Sequence, residues 1–291
     1  MRVLIIGGSG FIGQYLSAAL VEKQYCDVIT THRRDQNFHE RKNDKGHFNI
    51  DLNQPGNSLK EMMCDVDVVV ISIQPNHAHM RRIRLAIRSS RRVKKIVYLS
   101  TIMVYPDSDV AQDESTRPDV LTEYEMNKLQ EEKIFETFVQ DSDCVLCIAR
   151  LGNVYGDVKD RGVVNYIINA LLDGSVFTVN GEGSIVRDYI QIHDASMFLA
   201  SLVTFKQAKK VSIYNVSNGK GHSINRLIEI LESQTSLTLA VQRVPEKIEK
   251  HSVIGDSTVL IKLWQQRPLY NIKSGLRHTL KIYEGKYEKT V

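Results

Sequence analysis

Short runs of β-branched and aliphatic residues alternate along the chain with longer stretches whose apolar residues recur every three or four positions. The runs at 3–6, 28–31, 47–50, 66–71, 95–100 and 144–150 predict strands, and the stretches 11–22, 76–89 and 125–139 predict helices between them. Such alternation is the pattern of βαβ units around a parallel sheet. The expected fold is α/β, a doubly wound parallel sheet of Rossmann type. Past Gly156 the alternation loosens, with helices expected at 163–172, 195–204, 224–232 and 272–283 and short strands near 176–179, 188–192 and 213–216. We therefore expect a main domain over 1–156 and a smaller C-terminal lobe over 157–291, parts of which are free to return to the main sheet. Neither a Ser/Pro-rich linker nor an internal repeat separates the two.

Composition narrows the function classes. A chain of 291 residues, 42% hydrophobic and 25% charged, has ordinary globular proportions and room for a large core. Its net charge of +4 does not require a nucleic-acid or membrane partner, and an acidic small molecule suits it equally well. Cys26, Cys64, Cys144 and Cys147 form no disulfide framework, so a cytoplasmic location is expected. Cys144 and Cys147 make a CxxC, but they fall on an expected buried strand, where positions three apart face opposite ways. No apolar run reaches membrane-spanning length, and the four apolar residues after Arg2 give way to glycine too early for a signal sequence.

Chemistry enters at the end of the first predicted strand. Gly7-Gly8-Ser9-Gly10-Phe11-Ile12-Gly13 follows that strand and opens a helix, the context in which a glycine turn cradles a pyrophosphate at a helix N-terminus. Gly7, Gly10, Phe11, Ile12 and Gly13 are thus assigned to a dinucleotide. About 20 residues further on, a carboxylate would grip a ribose 2′-hydroxyl and an arginine a 2′-phosphate. The second strand ends Thr31-His32-Arg33-Arg34, and Asp35 is expected to lie beyond it, so Arg33 and Arg34 favour NADP(H) over NAD(H).

Tyr124 and Lys128 stand four apart, on one face of a predicted helix. A phenol ordinarily titrates near 10, and a neighbouring cation makes it a usable proton carrier at neutral pH. Ser100-Thr101-Ile102-Met103-Val104-Tyr105 lies at the carboxyl end of the fifth predicted strand, where ligands of open parallel sheets collect.

With Arg150-Leu151-Gly152-Asn153-Val154-Tyr155-Gly156, Gly181-Glu182-Gly183-Ser184-Ile185-Val186-Arg187-Asp188-Tyr189 and Tyr214-Asn215-Val216, these motifs span nearly the whole chain. In that order they resemble the extended short-chain dehydrogenase/reductases, the NAD(P)-dependent nucleotide-sugar epimerases, dehydratases and reductases. The resemblance implies Tyr124 as general acid/base, Thr101 as hydrogen-bond partner of the reacting oxygen, and Lys128 on the nicotinamide ribose. It places Asp51 and Leu52 beside the adenine, Asn153 and Arg187 facing a substrate diphosphate, and Phe177, Val179 and Tyr189 around a base or sugar. An arginine fork also suits a diphosphate on its own chemistry. Lys250 and His251 stand near a position that is often arginine in this family.

Residues that are missing are informative too. The sugar 4,6-dehydratases carry an Asp-Glu pair after the catalytic threonine, where this chain has Ile102 and Met103, and apolar side chains transfer no protons. Epimerase-reductases of the GDP-fucose synthase type place a cysteine at the Met103 position. Hydride chemistry alone remains. The leading expectation is an NADPH-dependent 4-ketoreductase of a nucleotide-diphospho-sugar; the alternatives are a nucleotide-sugar 4-epimerase and a non-catalytic dinucleotide-sensing protein. The segment 73–94 is shorter than usual in the family and basic, with Arg81, Arg82, Arg84, Arg88, Arg91, Arg92, Lys94 and the adjoining Lys95. Without aromatic residues among the charges it reads as a solvated helix face rather than a nucleic-acid site. A homodimer is left open. His77 and His79 lack the i, i+4 spacing of helical metal ligands, and no metal is assigned.

Overall fold

The computed structural model describes residues 1–22, 26–32, 47–50, 52, 58–245 and 248–287. In chain order the first half runs β1 (Arg2–Ile6), α1 (Phe11–Glu22), β2 (Asp27–His32), β3 (His47–Asn49), α2 (Ser58–Met63), β4 (Val68–Ile71), α3 (His77–Ser89), β5 (Lys95–Thr101), α4 (Glu123–Gln140) and β6 (Val145–Leu151). The second half runs β7 (Asn153–Tyr155), α5 (Val163–Asp173), β8 (Phe177–Asn180), β9 (Val186–Gln191), α6 (Ile192–Thr204), β10 (Val211–Val216), β11 (Gly221–Ser223), α7 (Ile224–Thr235), β12 (Val241–Val244), β13 (Ser252–Val253), α8 (Thr258–Trp264) and α9 (Ile272–Tyr287).

The chain forms two compact units. One comprises 1–100, 130–149 and 196–213, the other 101–129, 150–195 and 214–291, so the chain passes between them several times.

The first unit is built on a seven-stranded sheet in the order β10-β6-β5-β4-β1-β2-β3. β1 pairs in parallel with β2 and β4, as do β2 with β3 and β4 with β5. Strand order reverses at β1, and α1 leaves its carboxyl end, the place where open parallel sheets receive ligands. β4 is buried at every position, the near-continuous apolar run that a strand covered on both faces requires. Leu4, Ile6, Val69, Ile71, Ile96 and Ile148 of the strands pack in one cluster with Phe135 and Val139 of α4.

Two expectations change here. The sheet has a seventh strand, because β10, expected as a strand of the smaller lobe, takes the edge beside β6. Lys95 is no part of a solvated basic face: it is 6% exposed, and its Nζ donates to the carbonyls of Leu202 at 2.5 Å and Phe205 at 2.6 Å, closing the carboxyl end of α6. Elsewhere in that segment Arg92 pairs with Asp65 and Asp67, and Lys94 with Asp143. Cys144 and Cys147 are buried free thiols, and burial pushes Cys147 up to about 12.

The second unit holds a sheet in the order β11-β9-β13, with β7 also on β9, and a separate parallel pair, β12 with β8. Its core gathers Ile167 and Leu171 of α5, Leu227 and Leu231 of α7 and Leu276 of α9 against Tyr155, Phe177, Val179 and Tyr189 of the strands.

Candidate active site

The glycine turn lies in the first unit. Gly7 has φ +90°, a conformation that side chains rarely tolerate, and its carbonyl accepts the Gly10 amide at 3.0 Å. At Gly13 a Cβ would stand 2.4 Å from the Gly7 oxygen, so a glycine is needed for the helix to approach the turn. Gly10 differs: a Cβ there would meet only the Gly7 carbonyl, at 3.2 Å, with open space otherwise around it. The first amides of α1 have no acceptors within the helix, and no acidic residue stands in its first turn. An open backbone, amides that the helix itself does not pair and the positive end of the helix dipole fit the pyrophosphate of a dinucleotide. Phe11 packs edge-on against Tyr15, with ring centroids 6.0 Å apart. Leu52 is partly buried against the core, and its carbonyl is held by Arg82 at 2.5 Å, which makes Arg82 a support for the expected adenine contact. Arg33, Arg34 and Asp51 lie outside the described residues.

Thr101, Tyr124 and Lys128 belong to the second unit. Thr101 ends β5, is 7% exposed, and accepts the Met103 amide at 3.2 Å, capping a single 3-10 turn at Ile102–Val104. Ile102 is buried with Tyr105 and Val253, so the place of a dehydratase's first carboxylate is filled by core packing.

Tyr124 and Lys128 stand on the first turns of α4, which starts two residues before the expected 125. Thr122 and Glu125 explain the earlier start. The Thr122 Oγ1 accepts the Glu125 amide at 3.3 Å, and the Glu125 carboxylate accepts the Thr122 amide at 3.4 Å, a reciprocal capping box. Thr122-Glu123-Tyr124-Glu125 carries that signature in plain sight. Tyr124 is 45% exposed while Lys128, one turn later, is 6% exposed, so the phenol is accessible and the ammonium sits beneath the helix surface.

A buried hub lies beside them. Lys250 is 4% exposed, and its Nζ donates to the carbonyls of Met103 at 2.7 Å, Tyr105 at 2.7 Å and Asp119 at 2.6 Å while pairing with Glu125 at 2.8 Å. Burial works against the Glu125 carboxylate, yet the Lys250 ammonium and the Leu121 amide hold its pKa below the ordinary value. Lys250 stands near a position that is often arginine in the family, but its partners lie 125 or more positions away and neither pattern nor spacing encodes them.

The residues assigned to the substrate are also in this unit. Asn153 of β7 stands half-buried in register with Tyr189 of β9. Val179 and Tyr189 are 1% and 3% exposed and, with Phe177, lie in the unit's hydrophobic core rather than on an open wall. Burial raises the Tyr189 phenol above its ordinary value. Arg187 is engaged by the protein itself: it pairs with Glu249 at 2.6 Å and donates to the carbonyls of Lys250, Val186 and His251. The fork expected to face a diphosphate thus fastens the segment 249–251. Glu249 is 62 positions from Arg187 in sequence, whereas Asp188 and Asp194, much nearer in sequence, instead accept backbone amides.

The model of the NAD dependent epimerase/dehydratase family matches residues 3–217. Over 96% of its length the chain is 24% identical to a putative UDP-glucose 4-epimerase of Methanocaldococcus jannaschii, of which it covers 97%. It is 25% identical, over 97% of each chain, to a UDP-N-acetyl-alpha-D-glucosaminuronate decarboxylase of Bacillus cytotoxicus. Among solved structures it resembles the UDP-glucuronic acid 4-epimerase from Bacillus cereus in complex with UDP-glucuronic acid and NAD, with a TM-score of 0.88 at 19% identity, covering 99% of this chain and 100% of that one. A family match over most of the chain agrees with the glycine turn and the Tyr124/Lys128 helix: the chain belongs to the NAD dependent epimerase/dehydratase family, and is an enzyme of the extended short-chain dehydrogenase/reductase type.

Proposed function

We propose that the chain is a nucleotide-sugar 4-epimerase acting on a UDP-linked sugar with a retained nicotinamide dinucleotide. The observation that carries the reading is an accessible Tyr124 one helical turn before a buried Lys128, in a unit where Thr101 is followed by Ile102 and Met103 instead of proton carriers. A bound nicotinamide dinucleotide would supply hydride acceptance and return at the sugar carbon. Tyr124 takes the proton of the sugar 4-hydroxyl and later gives it back. Lys128 favours the ionised phenol by its charge, and Thr101 orients the reacting oxygen. Ile102 and Met103 offer no acid or base for elimination at neighbouring carbons. Relatives named as UDP-sugar 4-epimerases support this choice over net reduction.

A second reading, NADPH-dependent 4-ketoreduction, is favoured by Arg33 and Arg34, the two residues that follow His32 in the sequence. One preparation separates the two. The purified chain is incubated with UDP-glucose, UDP-galactose or UDP-glucuronic acid without added cofactor, and the nucleotide it releases on denaturation is identified. Interconversion at C4 with NAD released is the expected result. Release of NADP, no interconversion, and stoichiometric NADPH consumption on a 4-keto-sugar would transfer the assignment to the ketoreductase.

A further inference from the structure

Lys250 grips two pieces of chain that are separate in sequence and both catalytic in content. On one side are the carbonyls of Met103 and Tyr105, in and just after the turn that Thr101 caps. On the other are the carbonyl of Asp119 and the carboxylate of Glu125, on the approach to α4 and in its first turn. The path is short. Thr101 Oγ1 holds the Met103 amide at 3.2 Å, the Met103 carbonyl holds Lys250 at 2.7 Å, and Lys250 holds Glu125, the residue after Tyr124, at 2.8 Å. Asp119 tightens the arrangement, since its amide donates to the Val104 carbonyl at 2.9 Å.

The ammonium has three N–H groups for four oxygens, all taken from the backbone or from Glu125, so no freedom to reorient remains. A neutral side chain could fill the volume but could not draw three carbonyls to one point. One Glu125 oxygen, Oε2, gathers three donors: the Lys250 ammonium and the Leu121 and Thr122 amides. A buried pair held this way fixes geometry, whereas its net effect on stability is small or unfavourable.

We propose that Lys250, with Glu125 as its counter-ion, is a positioning residue that sets the placement of Tyr124 relative to Thr101. The proposal rests on the catalytic reading of Tyr124 and Thr101. It assigns to Lys250 no contact with substrate or cofactor.

The test compares wild type with Lys250→Met/Glu125→Gln, Lys250→Arg and Glu125→Gln. The double variant leaves no uncompensated buried charge. It should lose about 100-fold in kcat, the scale of an ångström's misplacement of reacting groups, with substrate KM and retained cofactor nearly unchanged. Lys250→Arg, which keeps cation and donors, should recover part of that loss. Glu125→Gln keeps an acceptor for the Leu121 amide and decides the matter if the double variant does not fold; a loss of about tenfold in kcat at constant KM is expected. A folded double variant, or Glu125→Gln, with wild-type kcat overturns the proposal, as does a loss confined to KM. A readout independent of turnover is the ultraviolet titration of the Tyr124 phenol, isolated by difference against Tyr124→Phe in each background. The titration moves in the double variant if Lys250 positions the ring and stays fixed if it does not. A wild type inert on all UDP-sugars sinks the epimerase reading, while the titration still judges Lys250.

Discussion

The helices α1 and α4 begin in opposite ways. α1 starts from a glycine turn with no acidic residue in its first turn and with open space beside Gly10. α4 starts from Thr122 and Glu125, which satisfy each other's amides, and Glu125 is itself paired with Lys250. Every helix exposes unpaired amides at its N-terminus, and the two solutions have different uses. Amides with no acidic side chain of their own helix beside them suit an anion from outside, as a dinucleotide's pyrophosphate would be. Amides satisfied from within leave nothing to bind, but they make the first turn rigid, which suits a helix whose task is to hold Tyr124 and Lys128 at a set angle.

The largest expected effect removes what the rigid start holds. Tyr124→Phe removes only the hydroxyl of a half-exposed residue and leaves the capping box intact, so folding and cofactor retention should be unchanged while turnover falls about 10²- to 10⁴-fold. Activity within a few-fold of wild type would mean that the rigidity of α4 serves no proton transfer. Gly13→Ala probes the open start. Its Cβ would fall 2.4 Å from the Gly7 oxygen and 2.8 Å from the Gly8 Cα, both backbone atoms that cannot swing aside. A cost of about 3 kcal/mol in urea unfolding is expected, together with loss of the retained nucleotide during purification. Unaltered stability and nucleotide content would show that the turn is not the close-packed cradle described.

The same contrast explains what could be read from the sequence. The α1 turn was legible because glycines at fixed spacing after an apolar strand have a local cause. Helices α1, α3, α5 and α7 begin where their apolar periods begin, within a residue. The apolar period of α4 is weaker, because Glu125, Glu131 and Glu132 are buried on it, against Lys250, Tyr98 and Ser100, and interrupt the apolar stripe. The local signal for its start is the capping box, Thr122 and Glu125, and not the apolar period. No local signal existed for the rest. Arg187 with Glu249, and Lys250 with the carbonyls of Met103, Tyr105 and Asp119, are contacts between residues 62 and 131 to 147 positions apart. The edge position of β10 is set by pairing in the sheet, which its own six residues do not encode. β11 and β13, of three and two residues, are too short to show a period.

A third helix start sharpens the comparison with the smallest expected effect. α5 has Gly162 at its N-cap, which offers no side chain, and Asp160 serves in its place: its Oδ1 accepts the Gly162 amide at 2.7 Å. The other oxygen, Oδ2, is buried and has no hydrogen-bond partner among the described residues. Burial raises the Asp160 carboxyl from its ordinary 3.8 to about 6, against the opposing pull of the Gly162 and Arg161 amides. Because the folded value lies above the unfolded one, the folded state holds its proton more tightly. The ionised carboxylate therefore costs stability above about 6, and that cost fades as pH falls through 6 and is gone below 3.8. Asp160→Asn keeps an acceptor for the Gly162 amide and cannot ionise. It should raise stability at slightly alkaline pH by on the order of 1–3 kcal/mol, with the gain shrinking as pH falls toward the unfolded value. Urea unfolding of both proteins across that range measures the difference. Curves that run parallel would mean that Asp160 ionises without penalty, and the start of α5 would then belong with the internally satisfied start of α4.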